Sequence, residues 1–124
     1  MCINCLNIKL QHIRSYETDL KERIESICCN TCKNYDLFII GVLSDLKFFC
    51  AVKIEKHNCC PTTLPHLVHM ETLVKQKVKS KLLKIMEIIE EQKEKVRECN
   101  YLNKMNDIKD LYDCLESIES AYEN

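Results

Sequence analysis

Thiols punctuate this chain of 124 residues, ten of which are cysteine. Three clusters stand out: Cys2-Ile3-Asn4-Cys5, Cys28-Cys29-Asn30-Thr31-Cys32 and His57-Asn58-Cys59-Cys60-Pro61, with Cys50, Cys99 and Cys114 set apart from them. Thiolates and neutral imidazoles are the ligands that structural zinc takes in closed, four-coordinate sites. The same sulfurs pair as disulfides in an oxidising compartment, or lie buried as unliganded thiols. Cys29-Asn30-Thr31-Cys32 also has the spacing of a redox pair, and a helix starting behind it would lower a thiol pKa.

Which chemistry is open depends on which clusters the fold brings together. From Leu6 to Ile27, the apolar residues Leu6, Leu10, Ile13, Tyr16, Leu20, Ile24 and Ile27 recur at steps of three and four, which makes one stripe on a helix. About twenty helical residues span ~30 Å. Cys2/Cys5 and Cys29/Cys32 therefore fall at opposite ends and do not share one ion. If the next element returns antiparallel, His57, Cys59 and Cys60 arrive beside Cys2 and Cys5. A long third element then passes Cys28, Cys29 and Cys32 and ends near Cys99. Structural zinc in either set would tie helix ends together. Cys50 and Cys114 sit within apolar elements and read as core residues, while His12, His66 and His69 read as ordinary surface or first-turn residues.

The most apolar run, Leu37 to Ile54, has two readings. As a helix it is apolar nearly all round and hence central, with Gly41 allowing a close crossing. As a hairpin it turns at Ser44-Asp45, with Phe48, Cys50, Val52 and Ile54 alternating inward. The helix is expected, and an α+β fold with a hairpin at 37–54 is the alternative. Beyond Pro61, Thr62 or Thr63 can cap a third helix. Its stripe of Leu67, Met70, Val74, Val78, Leu82, Ile85, Ile89 and Val96 runs to about Cys99 and makes it the longest element. After a link at Asn100 to Asn106, a last helix carries Ile108, Leu111, Tyr112, Leu115, Ile118 and Tyr122 on its apolar side. Antiparallel docking is expected to bring Glu119 and Glu123 toward Lys81 and Lys84. The expected fold is all-α: a single domain, 1–124, forming a small antiparallel bundle of about four helices with cysteine clusters at the helix ends. Residues 1–60 are its cysteine-rich half, and 61–124 carry the long and C-terminal helices.

Composition narrows the function classes. The chain is 46% apolar and 30% charged with a single glycine and no tryptophan, which suits packed helices. A net charge of −1 gives no global pull toward nucleic acid or membrane. No leader pattern opens the chain, and Asp45, Lys47 and Lys53 interrupt its most apolar run, so an intracellular, cytoplasmic protein with no membrane span is expected. One glycine nearly excludes a phosphate-cradling loop, and no Ser–His–acid order or paired-carboxylate motif is visible. The chain is thus read as non-enzymatic. The alternatives are a thiol–disulfide redox protein using Cys29 and Cys32, or a disulfide-stapled structural protein. Lys77, Lys81 and Lys84 share a helical face able to contact phosphates of double-stranded RNA. The overhang of the third helix around Leu82–Val96 points to a homodimer.

A cysteine-rich first half followed by a long heptad-like helix resembles the small cysteine-rich regulatory proteins of some plant RNA viruses. The resemblance covers organisation along the whole chain. It implies self-association through the helix, zinc binding and suppression of RNA silencing, and it assigns no individual residue a role.

Overall fold

The computed structural model describes residues 3–26, 30–91 and 101–120, with backbone alone for Thr31, Cys32, Tyr101 and Leu102. Four α-helices account for nearly all of it: α1 (Ile3–Ile24), α2 (Asn30–Asn58), α3 (Leu64–Glu91) and α4 (Tyr101–Ser120). No strand occurs among the described residues.

Each helix forms because its apolar residues fall on one side. In α1 the buried Leu6, Ile13 and Leu20 recur every two turns, with Leu10 and Tyr16 half-buried beside them. In α3 the buried residues are Leu67, Val78, Leu82, Ile85 and Ile89, and in α4 they are Ile108, Leu111, Leu115 and Ile118. All four helices contribute to one core cluster, at whose centre lie Ile39, Val42, Leu43, Leu46, Phe49 and Cys50 of α2. Cys50 is buried, and Cys114 packs against the same cluster.

Cross-helix pairs give the topology. Arg23 meets Asp36 and Glu17 meets Lys47, so α1 and α2 are antiparallel. Lys56 meets Glu71 and Asp45 meets Lys81, so α2 and α3 are antiparallel. The Tyr35 hydroxyl donates to the Lys104 carbonyl at 2.6 Å and the Lys53 ammonium to the Glu119 carbonyl at 3.0 Å, which runs α4 parallel to α2. The result is an up-down-up-down four-helix bundle.

Several expectations are corrected. The segment 37–54 is helix throughout, and α2 starts well before it, with Tyr35 and Asp36 both buried. The hairpin fails because Asp45, its proposed turn, finds cations on α3 and needs no exposed corner. Gly41 marks no close crossing: a Cβ added there would meet nothing within 4 Å. Glu119 pairs with Lys75, not with Lys81, which is held by Asp45 at 2.7 Å. The α3–α4 register is therefore set nearer the start of α3 than charge spacing suggested. Among the described residues α2 (29 residues) is slightly longer than α3 (28 residues), and the expected continuation of α3 through 92–99 lies outside them, as does Glu123. No described helix is long and apolar enough to cross a membrane.

Candidate functional site at the thiol end of the bundle

The alternating topology puts the start of α1, the end of α2 and the start of α3 at one end. Cys5, His57, Cys59 and Cys60 are therefore brought to the same end, as their order along the helices predicts. Cys5 is disulfide-bonded, whereas Cys50, Cys59, Cys60 and Cys114 are free thiols. Among the described residues no group of three His, Cys, Asp or Glu side chains is placed to hold a metal ion. Cys2, Cys28, Cys29 and Cys99 lie outside the described residues, and so does the side chain of Cys32.

The α2–α3 turn is built from the residues that cap it. The Cys59 thiol donates back to the Lys56 carbonyl at 3.2 Å. The Cys60 carbonyl accepts from both the Thr63 amide, at 3.1 Å, and the Thr63 hydroxyl, at 3.0 Å. The Thr63 carbonyl then accepts the Leu67 amide at 3.2 Å, making Thr63 the N-cap of α3 with Pro65 in the first turn, where its missing N–H is harmless. The exposed Cys60 sulfur lies 3.1 Å from the Thr62 hydroxyl and 3.6 Å from that of Thr63. Hydroxyls that donate to a thiolate favour the charged form. The Thr62 hydroxyl first, with Thr63 next in weight, brings the Cys60 thiol down to about 7. Burial does the opposite to Cys50, pushing it up to about 12, and raises Cys114. Among the described residues, Cys50 and Cys114 are thus inert core thiols and Cys60 is an activated surface thiol.

The lysines of the proposed RNA face divide. Lys77 and Lys81 lie 3.6 Å and 2.7 Å from the Asp45 carboxylate of α2, while Lys84 stands exposed. One carboxylate shared by two ammonium groups offsets part of the positive field that phosphates would meet.

Sequence reasoning missed the polar groups that lie between the helices. Asp36 accepts both arms of Arg23, and Lys53 reaches Glu71 at 3.2 Å with its ammonium 5.5 Å from the Phe49 ring centroid. Lys104 stacks its ammonium 4.0 Å from the Tyr35 ring centroid. Burial, with Asp107 next in weight, pushes the Tyr16 hydroxyl up to about 12, and burial likewise raises Tyr35 and Asp107. The available signal was a charged residue inside an apolar run, which in a bundle must find a partner on a neighbouring helix.

One further surface feature bears on function. The outer side of α2 leaves Leu37 and Phe48 52% and 45% exposed, although α2 is the most apolar helix of the bundle. Comparison of the chain with family models, with curated proteins and with solved structures finds no match.

Proposed function

We propose that this chain is a non-enzymatic interaction protein that works by macromolecular contact, with the outer side of α2 as its contact surface. The observation that carries this reading is the uncovered apolar side of α2. A helix apolar all round is ordinarily buried on all sides, and here Leu37 and Phe48 are left to solvent.

A photo-crosslinking residue placed at position 48 in living cells tests the reading. Discrete adducts are expected from position 48 and none from Glu116 on α4, a helix that exposes no large apolar side chain among the described residues. An absence of adducts at both positions would sink it.

A second reading, a redox-responsive protein, is favoured by Cys60, whose sulfur is exposed and lies 3.1 Å from the Thr62 hydroxyl at the end of the bundle that also holds the Cys5 disulfide. It predicts that mild peroxide oxidises Cys60 before any other free thiol, read by mass spectrometry of peptides. Oxidation spread evenly over Cys59 and Cys60 would remove its basis.

A further inference from the structure

Three helices bring Lys9, Cys50 and Cys114 to one level of the bundle. After burial, the group that weighs most on Tyr16 of α1 is Asp107 of α4. Lys9 lies seven residues before Tyr16, and Cys114 lies seven residues after Asp107. In antiparallel helices these two therefore stand level, two turns further along. The Glu17–Lys47 and Arg23–Asp36 pairs set Lys9 level with residues 50–55 of α2, where Cys50 is fully buried. The hydrogen bonds from Tyr35 to Lys104 and from Lys53 to Glu119 set Cys50 about one turn from Cys114 along the bundle axis. Both cysteines are free thiols of one core cluster. They also lie within electrostatic reach: beyond the effect of burial, a charge on Cys114 raises Cys50, and the Lys9 ammonium lowers both. Lys53, the other cation acting on Cys50, is already held by Glu71 at 3.2 Å. Lys9 enters no ion pair among the described residues.

We propose that Cys50 and Cys114 bind one Cu(I) ion between α2 and α4, with Lys9 of α1 offsetting the charge of the site. Soft sulfur ligands select Cu(I), and this closed-shell ion is satisfied by two thiolates in line. Zinc is not, since its structural sites take four ligands. Among the described residues, no three His, Cys, Asp or Glu side chains are placed to hold an ion. On binding, each thiol gives its proton to solvent and each sulfur donates a lone pair to the copper, whose oxidation state does not change. The S–Cu–S unit then carries one net negative charge. Such a charge in a core is costly unless it is paired, and the one ammonium that acts on both thiols is Lys9. Burial keeps bulky electrophiles from Cys50, whereas a small ion has a way in along the half-buried Lys9 and Cys114. Resistance to alkylation and affinity for a thiolate-seeking cation thus go together.

The inference stands apart from the contact surface on α2, and its failure leaves that reading untouched. Iodoacetamide caps the exposed thiols of the folded full chain, which is then titrated with Cu(I) under argon and read by native mass spectrometry. One ion per chain is expected, with a higher melting midpoint because the ion binds only the folded pair. Cys50→Ala and Cys114→Ala should each lose the ion, and the double variant Cys59→Ser/Cys60→Ser should keep it. Lys9→Met changes a half-buried position and leaves circular dichroism as in the parent. It should weaken binding by about tenfold or more, measured in competition with a Cu(I) chelator. A capped, folded chain that takes up no ion would overturn the inference. So would an ion that survives either alanine variant, one that disappears with Cys59 and Cys60, or a Lys9→Met chain that binds as tightly as the parent.

Discussion

The Arg23 guanidinium grips the Asp36 carboxylate with two hydrogen bonds, Nε to Oδ2 at 3.1 Å and Nη2 to Oδ1 at 3.0 Å, joining the last turn of α1 to the start of α2. Asp36 is buried, whereas the Arg23 side chain is 54% exposed. The pair is therefore worth less than a fully buried one, yet removing the cation strands a carboxylate that has already lost its water. Arg23→Ala is expected to destabilise the bundle by about 2 kcal/mol. Arg23→Lys should recover less than half of that, because a point charge does not reproduce the planar fork. Urea unfolding followed by circular dichroism reads both, and a lysine variant as stable as the parent would show that charge alone matters.

Glu71 joins the far half of α2 to α3 through Lys56 at 2.9 Å and Lys53 at 3.2 Å. Burial pushes its carboxyl up, but the hydrogen bonds from Lys56 and Lys53 outweigh burial and hold it below its ordinary value of 4.5. A carboxyl whose folded pKa lies below its unfolded one adds stability above the unfolded value and loses it as pH falls through the folded value. Glu71→Gln should therefore be less stable than the parent at pH 7, and the gap should close as the pH is lowered below 4.5. Parallel stability curves for the two proteins across that range would contradict the assignment.

The helices were legible for a simple reason. Leu6, Ile13 and Leu20, or Ile108, Leu111, Leu115 and Ile118, form stripes whose period is a property of the chain alone. For α2 the periodicity was weak, because Phe49 and Cys50 face the core while Phe48 beside them faces solvent. Pairings such as Tyr35 with Lys104, or Lys75 with Glu119, depend on how neighbouring helices slide past one another. Charge spacing supplies many equivalent registers, and packing of side chains such as Leu82 and Leu115 chooses among them. The grouping of Cys5, His57, Cys59 and Cys60 followed from topology. The lowered Cys60 thiol did not, since it needs the turn that folds Thr62 back onto the sulfur.

Cys60 should react as a thiolate near neutral pH. With a pKa of about 7 roughly half of it is ionised at pH 7, against about 1% for a thiol at its ordinary 9.0. A more acidic thiolate is also a weaker nucleophile, so the net advantage in iodoacetamide alkylation is about five- to tenfold. Thr62→Val removes the principal donor without touching the Thr63 cap, and should shift the midpoint of the alkylation profile upward. Cys50 and Cys114 should stay unmodified until the protein unfolds, because both are core thiols raised by burial. Peptide mass spectrometry across pH 6–10 reads all three positions, and an unmoved midpoint in the valine variant would discard the hydroxyl mechanism.

Gly41→Ala tests whether the outer side of α2 is open. Within the bundle the new methyl meets nothing within 4 Å, so only helix propensity changes, and alanine is favoured over glycine by about 1 kcal/mol in a helix interior. The variant should therefore unfold at a higher urea concentration than the parent, read by circular dichroism. An unchanged or lower midpoint would mean that the space over Gly41 is filled in solution.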